Sequence, residues 1–225
     1  MPPFHVVSAP WLATPAMDLQ QDVKRLSPLA VDERWQALGQ AWRDATTDQR
    51  IHGGWARVEW SPSALHFDAV FLGSSFKNRA ATLNERTWEL GDVCEIFVHA
   101  SHVDQYVELH VTPENQRLQL LWPAGAIDRV RRDEESLTRF MVDSPHWVRS
   151  STYVGPGFWS THVVIPLACL GVELSTSNAT LRAAVGRYDW GELAEPVLSS
   201  TAPLKAADYH RWNEWQVVKL TESAP

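Results

Sequence analysis

The sequence has 225 residues and a formal net charge of −7 at pH 7, so one domain could bury a large core. The acidic balance disfavours a nucleic-acid partner, because nucleic acids are bound through basic patches. Hydrophobic residues make up 44% and charged residues 21% of the chain, which excludes an intrinsically disordered protein. No run approaches the roughly 18 apolar residues of a membrane span, so no membrane partner is expected. The first residues lack the basic start and apolar core of a signal peptide, which favours a cytoplasmic location.

The first 28 residues are predicted to form an extended N-terminal segment, because prolines are frequent in this part of the chain. Within it, residues 4–7 (FHVV) are predicted to form an edge strand. For residues 32–46, Trp35, Leu38 and Trp42 fall at helical spacing, which indicates a short helix.

A β-hairpin is predicted next, with strands over residues 55–60 and 65–72. The intervening Ser-Pro-Ser-Ala is typical of a turn. In the second strand, the apolar residues alternate with polar ones, which indicates one buried face. The polar segment 73–86 that follows is predicted to be a loop at the rim of a binding site, since binding residues concentrate on loops.

A second hairpin, over residues 88–113, carries the chemistry of interest. Side chains on a strand alternate between the two faces of a sheet, so Cys94 and its alternate neighbours are predicted to face the core. Glu95, Glu108 and His110 then share the opposite face, with Trp88 at the start of the hairpin. An indole beside carboxylates suits a sugar, because the ring packs on C–H groups and the carboxylates accept from hydroxyls. The alternative is that Trp88 belongs to the core and that the carboxylates form a solvated strand face.

The rest of the chain shows five more strand patterns. They cover residues 117–122, a hairpin of 147–154 and 158–165 around Gly-Pro-Gly, residues 181–190 and residues 215–220. Between them, residues 123–137 (PAGAIDRVRRDEESL) are predicted to form a solvated loop or short helix without a functional role. About ten strands with little helix predict an all-β protein made of two antiparallel sheets packed face to face.

The segment from Trp88 to Val98 resembles the signature of the family 9 carbohydrate-binding modules and their DOMON-related relatives. In that signature, a tryptophan precedes Asp-x-x-Glu at the start of a hydrophobic strand. Further segments resemble the family in the same order along residues 29–220, namely Trp35, residues 158–166 with the turn at 170–171, residues 187–190, residues 198–200 and residues 209–210. The resemblance implies a single domain over residues 1–225, an antiparallel β-sandwich of jelly-roll or immunoglobulin-like type with long loops. It also implies that residues 41–45 turn into a strand, so two structures stay open for residues 32–46, this one and the short helix.

The same resemblance implies the residues of a saccharide site. The family holds its ligand between two tryptophans, which correspond here to Trp88 and Trp190. Glu95 matches the acidic residue that binds hydroxyls, and Arg187 and Asp189 accompany Trp190. Sugar-binding members carry a basic residue on the next strand, where this chain has Glu108, so the set of hydrogen-bonding groups differs. The implied function is non-catalytic binding of a sugar or oligosaccharide end, in association with the degradation of polysaccharides such as xylan and glucan.

The resemblance also allows a structural calcium ion, although the sequence contains no dense Asp-x-Asp-x-Asp loop to supply its oxygen ligands. The two cysteines, Cys94 and Cys169, lie in apolar contexts and are predicted to be buried free thiols.

Three other functional classes remain open at this stage. A glycoside hydrolase could use Glu95 and Glu108 as its carboxylate pair, because residues on paired strands can meet the required spacing. A haem-carrying relative would need a Met/His or His/His pair, for which Met17 and Met141 are the internal methionines. A third class is an interaction domain that has lost its ligand.

Overall fold

The computed structural model describes residues 4–7, 34–43, 51–172, 179–191 and 195–221. Within these residues it contains twelve strands, four short 3-10 helices and one α-helix, α1 (Ala126–Arg131). The strands are β1 (Phe4–Val7), β2 (Gln36–Ala37), β3 (Gly54–Ser61), β4 (Ala64–Leu72), β5 (Val93–Ala100), β6 (Gln105–Val111), β7 (Arg117–Pro123), β8 (Arg149–Gly155), β9 (Phe158–Pro166), β10 (Thr180–Asp189), β11 (Val197–Ser200) and β12 (Gln216–Thr221). The 3-10 helices are Thr87–Glu89, Leu137–Phe140, Leu167–Leu170 and Trp212–Glu214.

The strands form two sheets, which confirms the predicted all-β sandwich. The larger sheet has seven strands in the order β1-β12-β10-β5-β6-β7, with β11 also paired to β10. The smaller sheet has the order β2-β3-β4-β9-β8. All pairs are antiparallel except β1 with β12, and β1 is an edge strand as predicted. Among the described residues, no helix is long and apolar enough to cross a membrane.

The main core lies between the two sheets and follows from the alternation of the strands. From β5, the inward residues are Cys94, Ile96 and Val98, and the inward faces of β6 and β10 meet them across the register. The five-stranded sheet contributes large side chains, including Phe67 and Phe71, to the same cluster. The predicted register of the central hairpin is therefore confirmed, because a shift by one residue would have exchanged the two faces.

A second apolar cluster covers the outer face of the seven-stranded sheet. It includes Phe97, Tyr106, Leu118, Leu120 and Trp122 from the sheet, together with Tyr209 and Trp215 from the segment before β12. Both faces of this sheet are therefore buried along β5, β6 and β7. Antiparallel sheets more commonly have one face exposed to solvent. The chain segments that cover the outer face leave a cavity over part of it.

Three local features were left open, missed or predicted differently. Of the two structures left open for residues 32–46, the described part contains a short strand at 36–37 and a turn at 41–43, and no helix. The strand β11 was not predicted, because its four residues carry no extended alternation. Cys94 is buried as predicted, whereas Cys169 is only half-buried and its thiol donates to the Trp147 carbonyl at 3.3 Å. Apart from β1, the predicted extended segment lies outside the described residues.

Candidate functional site

A cavity of about 660 Å³ opens on the outer face of the seven-stranded sheet. Its floor is formed by side chains of β5, β6 and β7, and its residues include Trp88, Glu95, Glu108, His110, Tyr188 and His210. The volume lies in the range of small-molecule sites, which run from roughly 300 to 1,000 Å³. Three of the residues singled out by the sequence, Trp88, Glu95 and Glu108, therefore line one cavity.

The centre of the floor is a cluster of two carboxylates and an imidazole. Glu95 on β5 pairs directly with His110 on β6, and Glu108 lies two residues earlier on the same face of β6. The Nε2 atom of His110 lies 2.7 Å from Glu108 Oε1 and 3.3 Å from Glu95 Oε1. All three side chains are almost fully buried. Strand alternation and register thus place the three polar groups in mutual contact.

Two further side chains hold Glu108 in place. The indole Nε1 of Trp122, on β7, donates to Glu108 Oε2 at 2.6 Å. The ring of His210 lies 3.7 Å from the same oxygen, and its Nδ1 is hydrogen-bonded to the Tyr106 hydroxyl at 2.7 Å. Every oxygen of the Glu108 carboxylate therefore has a partner, which fixes its orientation in the floor.

The three groups of the floor have shifted pKa values. Burial raises the pKa of Glu95 to about 8, and the charge of Glu108 adds to the rise although His110 opposes it. Burial would also raise the pKa of Glu108, but His210, His110 and the Trp122 N–H together lower it. The pKa of His110 is raised, because the carboxylates outweigh its desolvation. The pKa values of the two carboxylates therefore move in opposite directions, and Glu95 is the one that titrates near pH 8.

Trp88 is carried by the 3-10 helix Thr87–Glu89 at the edge of this floor. Its half-buried ring meets His110 edge to face, with centroids 5.5 Å apart. The hydroxyl of Thr87 is hydrogen-bonded to His110 Nδ1 at 2.8 Å. Trp88 and the polar floor are therefore joined through His110, and the indole contributes an aromatic wall next to the carboxylates.

The Asp-x-x-Glu motif divides into a structural and a site residue. Asp92 accepts from the backbone N–H groups of Lys77 (2.9 Å) and Trp190 (3.1 Å) through its two oxygens. It thereby fastens the 73–86 loop and the segment after β10 to the start of β5. Glu95, three residues later and on the outer face, reaches the cavity. Arg86, at the end of that loop, lines the cavity, in agreement with the predicted rim.

Gly91 is required for this arrangement. Gly91→Ala is expected to destabilise the protein and to lower its affinity for any ligand that contacts Trp88. Its φ is +147°, and a Cβ atom at this position would lie 2.0 Å from the Lys77 carbonyl oxygen. Backbone would have to move, since Lys77 and Asn78 are the clashing groups. Urea denaturation should show a loss above the roughly 1 to 2 kcal/mol expected for an alanine at positive φ alone.

Gly157→Ala is the matched control for this prediction. Gly157 also has a positive φ, +80°, but a Cβ there meets no atom within 4 Å. Its alanine variant should lose about 1 to 2 kcal/mol. Equal losses for the two variants would contradict the role of the close approach between Gly91 and Lys77.

Trp190 lies next to Trp88 but does not line the cavity. Its indole Nε1 donates to the Trp88 carbonyl at 3.1 Å, and the side chain is half-buried. The structure therefore brings the two predicted tryptophans together, with Trp190 as a support for the backbone of Trp88. The aromatic residues that share the cavity with Trp88 are His110, Trp122, Tyr188, Tyr209 and His210.

Arg187 and Asp189 occupy the opposite face of the sheet from Glu95. Arg187 pairs with the inward-facing Cys94 in the register, whereas Tyr188 between them faces outward. The guanidinium of Arg187 lies over the Phe71 ring at 5.3 Å and donates to the Leu72 carbonyl at 3.0 Å. Neither residue lines the cavity. A ligand in this cavity would therefore not contact Arg187 or Asp189, in contrast to the prediction.

The segment 123–137 contains a short helix, one of the two structures predicted for it, but the segment is not simply solvated. Helix α1 packs against β7 over the outer face, and its Ala126 is fully buried. Ile127, Val130 and Leu137 contribute an apolar wall of the cavity. The charged residues of the segment form ion pairs such as Arg131 to Asp208, at 2.8 Å. Helical spacing of Ile127 and Val130 was the signal in the sequence that could have revealed this apolar side.

Several cavity residues were not among the predicted ligand-binding residues, including His110, Trp122, Tyr188 and His210. His110 and Trp122 follow from alternation, since both share the outward face with Glu108. Tyr188 alternates with Arg187 in the same way. His210 could not be found from strand period, because it belongs to an irregular segment that folds back over the sheet.

Comparisons with known proteins agree with this architecture. No protein-family model and no curated protein matches the chain. A solved structure from Bacteroides uniformis, described as a candidate carbohydrate-binding protein, matches with a TM-score of 0.65 at 15% identity, over 82% of this chain and 85% of its own. A family 9 carbohydrate-binding module from Caldicellulosiruptor kristjanssonii, in complex with cellotriose, matches with a TM-score of 0.58 at 14% identity, over 97% and 93% of the two chains. Its complex with glucose matches with a TM-score of 0.58 at 12% identity, over 97% and 95%.

The chain has the fold of a family 9 carbohydrate-binding module. The predicted resemblance is confirmed at the level of the fold, over nearly the whole chain. At 12 to 15% identity, these structures show the architecture of this chain and do not identify its site residues.

Proposed function

We propose that this protein is a non-catalytic carbohydrate-binding module that binds a sugar or an oligosaccharide end in the cavity of the seven-stranded sheet. The observation that carries the proposal is the presence of Trp88 and Glu95 in one cavity of about 660 Å³. Two of the structures with this fold hold cellotriose and glucose. Fold alone does not define function, so the proposal rests on the chemistry of the cavity.

The cavity offers both kinds of contact that a pyranose needs. Trp88, Tyr188 and Tyr209 provide aromatic surfaces for its C–H faces. Glu95 and Glu108 accept hydrogen bonds from hydroxyl groups, and His210 adds a ring nitrogen. About half of the lining residues are aromatic or aliphatic and the others are polar or charged, so both kinds of surface converge in a cavity of small-molecule size. The closed floor favours a sugar or a chain end, and association with the degradation of a polysaccharide such as xylan or glucan is part of the same proposal.

Trp88→Ala is expected to weaken saccharide binding at least about tenfold, which corresponds to about 1.4 kcal/mol. The reason is the loss of a stacking surface, which contributes on the order of 1 kcal/mol beyond burial. The measurement is calorimetric titration with glucose, cellotriose and xylotriose. Glu95→Gln should weaken binding less, because the amide keeps one acceptor.

Trp212→Ala is the control for the tryptophan prediction. Trp212 is 47% exposed and does not line the cavity, so its loss should leave affinity unchanged. Thermal melts of both variants separate a binding effect from unfolding. Unchanged affinity in a folded Trp88→Ala variant, or no binding of any of these sugars by the native protein, would argue against the proposed site.

A glycoside hydrolase is the second candidate, because the floor of the cavity contains a pair of carboxylates. The ligand atoms of Glu95, Glu108 and His110 lie within 4.8 Å of one another. The pKa of Glu95 is raised and that of Glu108 lowered, which is the pattern of an acid and a nucleophile. However, both carboxylates project from neighbouring strands of one face and share His110, so they approach a sugar from the same side. Release of reducing sugar that is abolished by Glu95→Gln and Glu108→Gln would favour this candidate over the binding module.

A further inference from the structure

The floor of the cavity brings three potential metal ligands to one point. They are His110 Nε2, Glu108 Oε1 and Glu95 Oε1, with Nε2 at 2.7 Å and 3.3 Å from the two oxygens. Ligands of a transition-metal ion lie about 2.0 to 2.2 Å from it, which separates neighbouring ligands by roughly 3 Å. Little movement is needed to admit an ion between the three atoms.

The remaining atoms of two of these groups already have partners that would orient them toward an ion. His110 Nδ1 is hydrogen-bonded to the Thr87 hydroxyl at 2.8 Å, which leaves Nε2 directed at the carboxylates. Glu108 Oε2 accepts from Trp122 Nε1 at 2.6 Å, which leaves Oε1 directed at His110. Hydrogen bonds to the far side of a ligating imidazole and carboxylate are the usual outer shell of a metal site.

Glu95 points independently to a cation in the cavity. Its side chain is only 4% exposed, yet Oε2 has no hydrogen-bond or ion-pair partner among the described residues. Its other oxygen makes only the 3.3 Å contact with His110. A buried carboxylate without a full set of partners is unfavourable, and a positive ion beside it offsets that cost. Because Glu95 lines the cavity, such an ion would be reached from its open side.

The donor set defines the class of ion. Calcium takes six to eight oxygen ligands, whereas this cluster contains an imidazole nitrogen. One imidazole with two carboxylates suits Zn²⁺, Mn²⁺, Fe²⁺ or Co²⁺. We propose that Glu95, Glu108 and His110 bind a divalent first-row transition-metal ion, with open coordination positions directed into the cavity. The ion site does not depend on saccharide binding, although hydroxyl groups of a sugar could complete its coordination.

Titration of the chelator-treated native protein with Co²⁺ and Zn²⁺ tests this site without any saccharide. We expect one ion per chain, with visible Co²⁺ absorption of a low-symmetry site and a calorimetric Zn²⁺ isotherm that saturates at one equivalent. Glu95→Gln keeps the shape of the side chain but removes an anionic ligand, and it should weaken Zn²⁺ binding about 10- to 100-fold or more. His110→Asn should abolish the Co²⁺ spectrum.

Exposed histidines provide the control, since they can bind metal non-specifically. His146 is exposed and outside the cavity, so His146→Ala should bind Co²⁺ and Zn²⁺ like the native protein. If His110→Asn fails to fold in a thermal melt, the isosteric Glu95→Gln variant decides alone. The proposal is overturned if native protein shows no saturable ion, or if Glu95→Gln binds as tightly as native protein. Metal binding without saccharide binding would reject only the proposed function.

Discussion

Replacing Asp189 by alanine is expected to lower the free energy of unfolding by about 3 to 5 kcal/mol, the range measured when one partner of a buried ion pair is removed. Asp189 Oδ1 lies 3.1 Å from an Arg187 guanidinium nitrogen, and the Arg187 side chain is 1% exposed. Burial lowers the pKa of Arg187, while Asp189 and Asp92 act to raise it. Without Asp189 the guanidinium would remain in the core with its nearest counter-charge lost. Urea denaturation at neutral pH measures the effect.

Two further variants make this prediction specific. Asp104→Ala removes an exposed carboxylate, and it should change stability by no more than about 0.5 kcal/mol. Arg187→Met together with Asp189→Ala removes both charges, and it should recover much of the loss because an apolar pair avoids desolvation. If Asp189→Ala is as stable as native protein but binds saccharide more weakly, then the sequence-based assignment of Asp189 to the ligand would be correct instead.

The contribution of Glu95 to stability is expected to fall, by on the order of 4 kcal/mol, as pH rises from about 5 to above 8. The pKa of Glu95 is about 8 in the folded protein, against an ordinary value of 4.5. Between these values the folded state holds a proton that the unfolded chain has released. The stabilisation is therefore complete below pH 4.5 and is lost as pH rises through 8, at about 1.4 kcal/mol per pH unit. The raised pKa of His110 acts in the same direction above its ordinary value of 6.5.

Glu95→Gln should remove the part of the pH dependence of stability that comes from the Glu95 proton. We expect the variant to be more stable than native protein at pH 9 and close to it at pH 5, when both are unfolded by urea in the presence of a chelator. Glu89→Gln replaces an exposed carboxylate whose side chain is 51% accessible, and it should keep the native slope. Parallel pH profiles for Glu95→Gln and native protein would show that Glu95 does not carry the proton.

Features that depend on neighbouring residues in the chain could be predicted from the sequence. Alternation along the central hairpin correctly placed Cys94 toward the core and Glu95, Glu108 and His110 on the outer face. This succeeded because the two-residue period of a strand is a local property of the backbone. Turn residues such as the Gly-Pro-Gly between β8 and β9 were equally local, and that hairpin was predicted within about two residues.

The roles of Arg187, Asp189 and Trp190 could not be predicted from strand alternation. Arg187 and Asp189 were assigned to a ligand by resemblance of a short motif, but the pairing of β10 with β5 turns them toward the second sheet. Trp190 lies beside Trp88 as predicted, yet its indole N–H is used on the Trp88 carbonyl, 102 residues away in the chain. The face that a side chain occupies depends on register, and its partner depends on which segments the fold brings together.

By itself, the sequence therefore determined the class of fold, the faces of the central strands and the polar group of Glu95, Glu108 and His110 at their outer surface. Only the tertiary structure decided that this surface is enclosed, because α1 and the segment before β12 pack over it from distant parts of the chain. Enclosure is what removes water from the two carboxylates, shifts the pKa of Glu95 and leaves one of its oxygens without a partner among the described residues. Strand period is encoded residue by residue, whereas burial arises from contacts between segments, and the chemistry of this floor depends on burial.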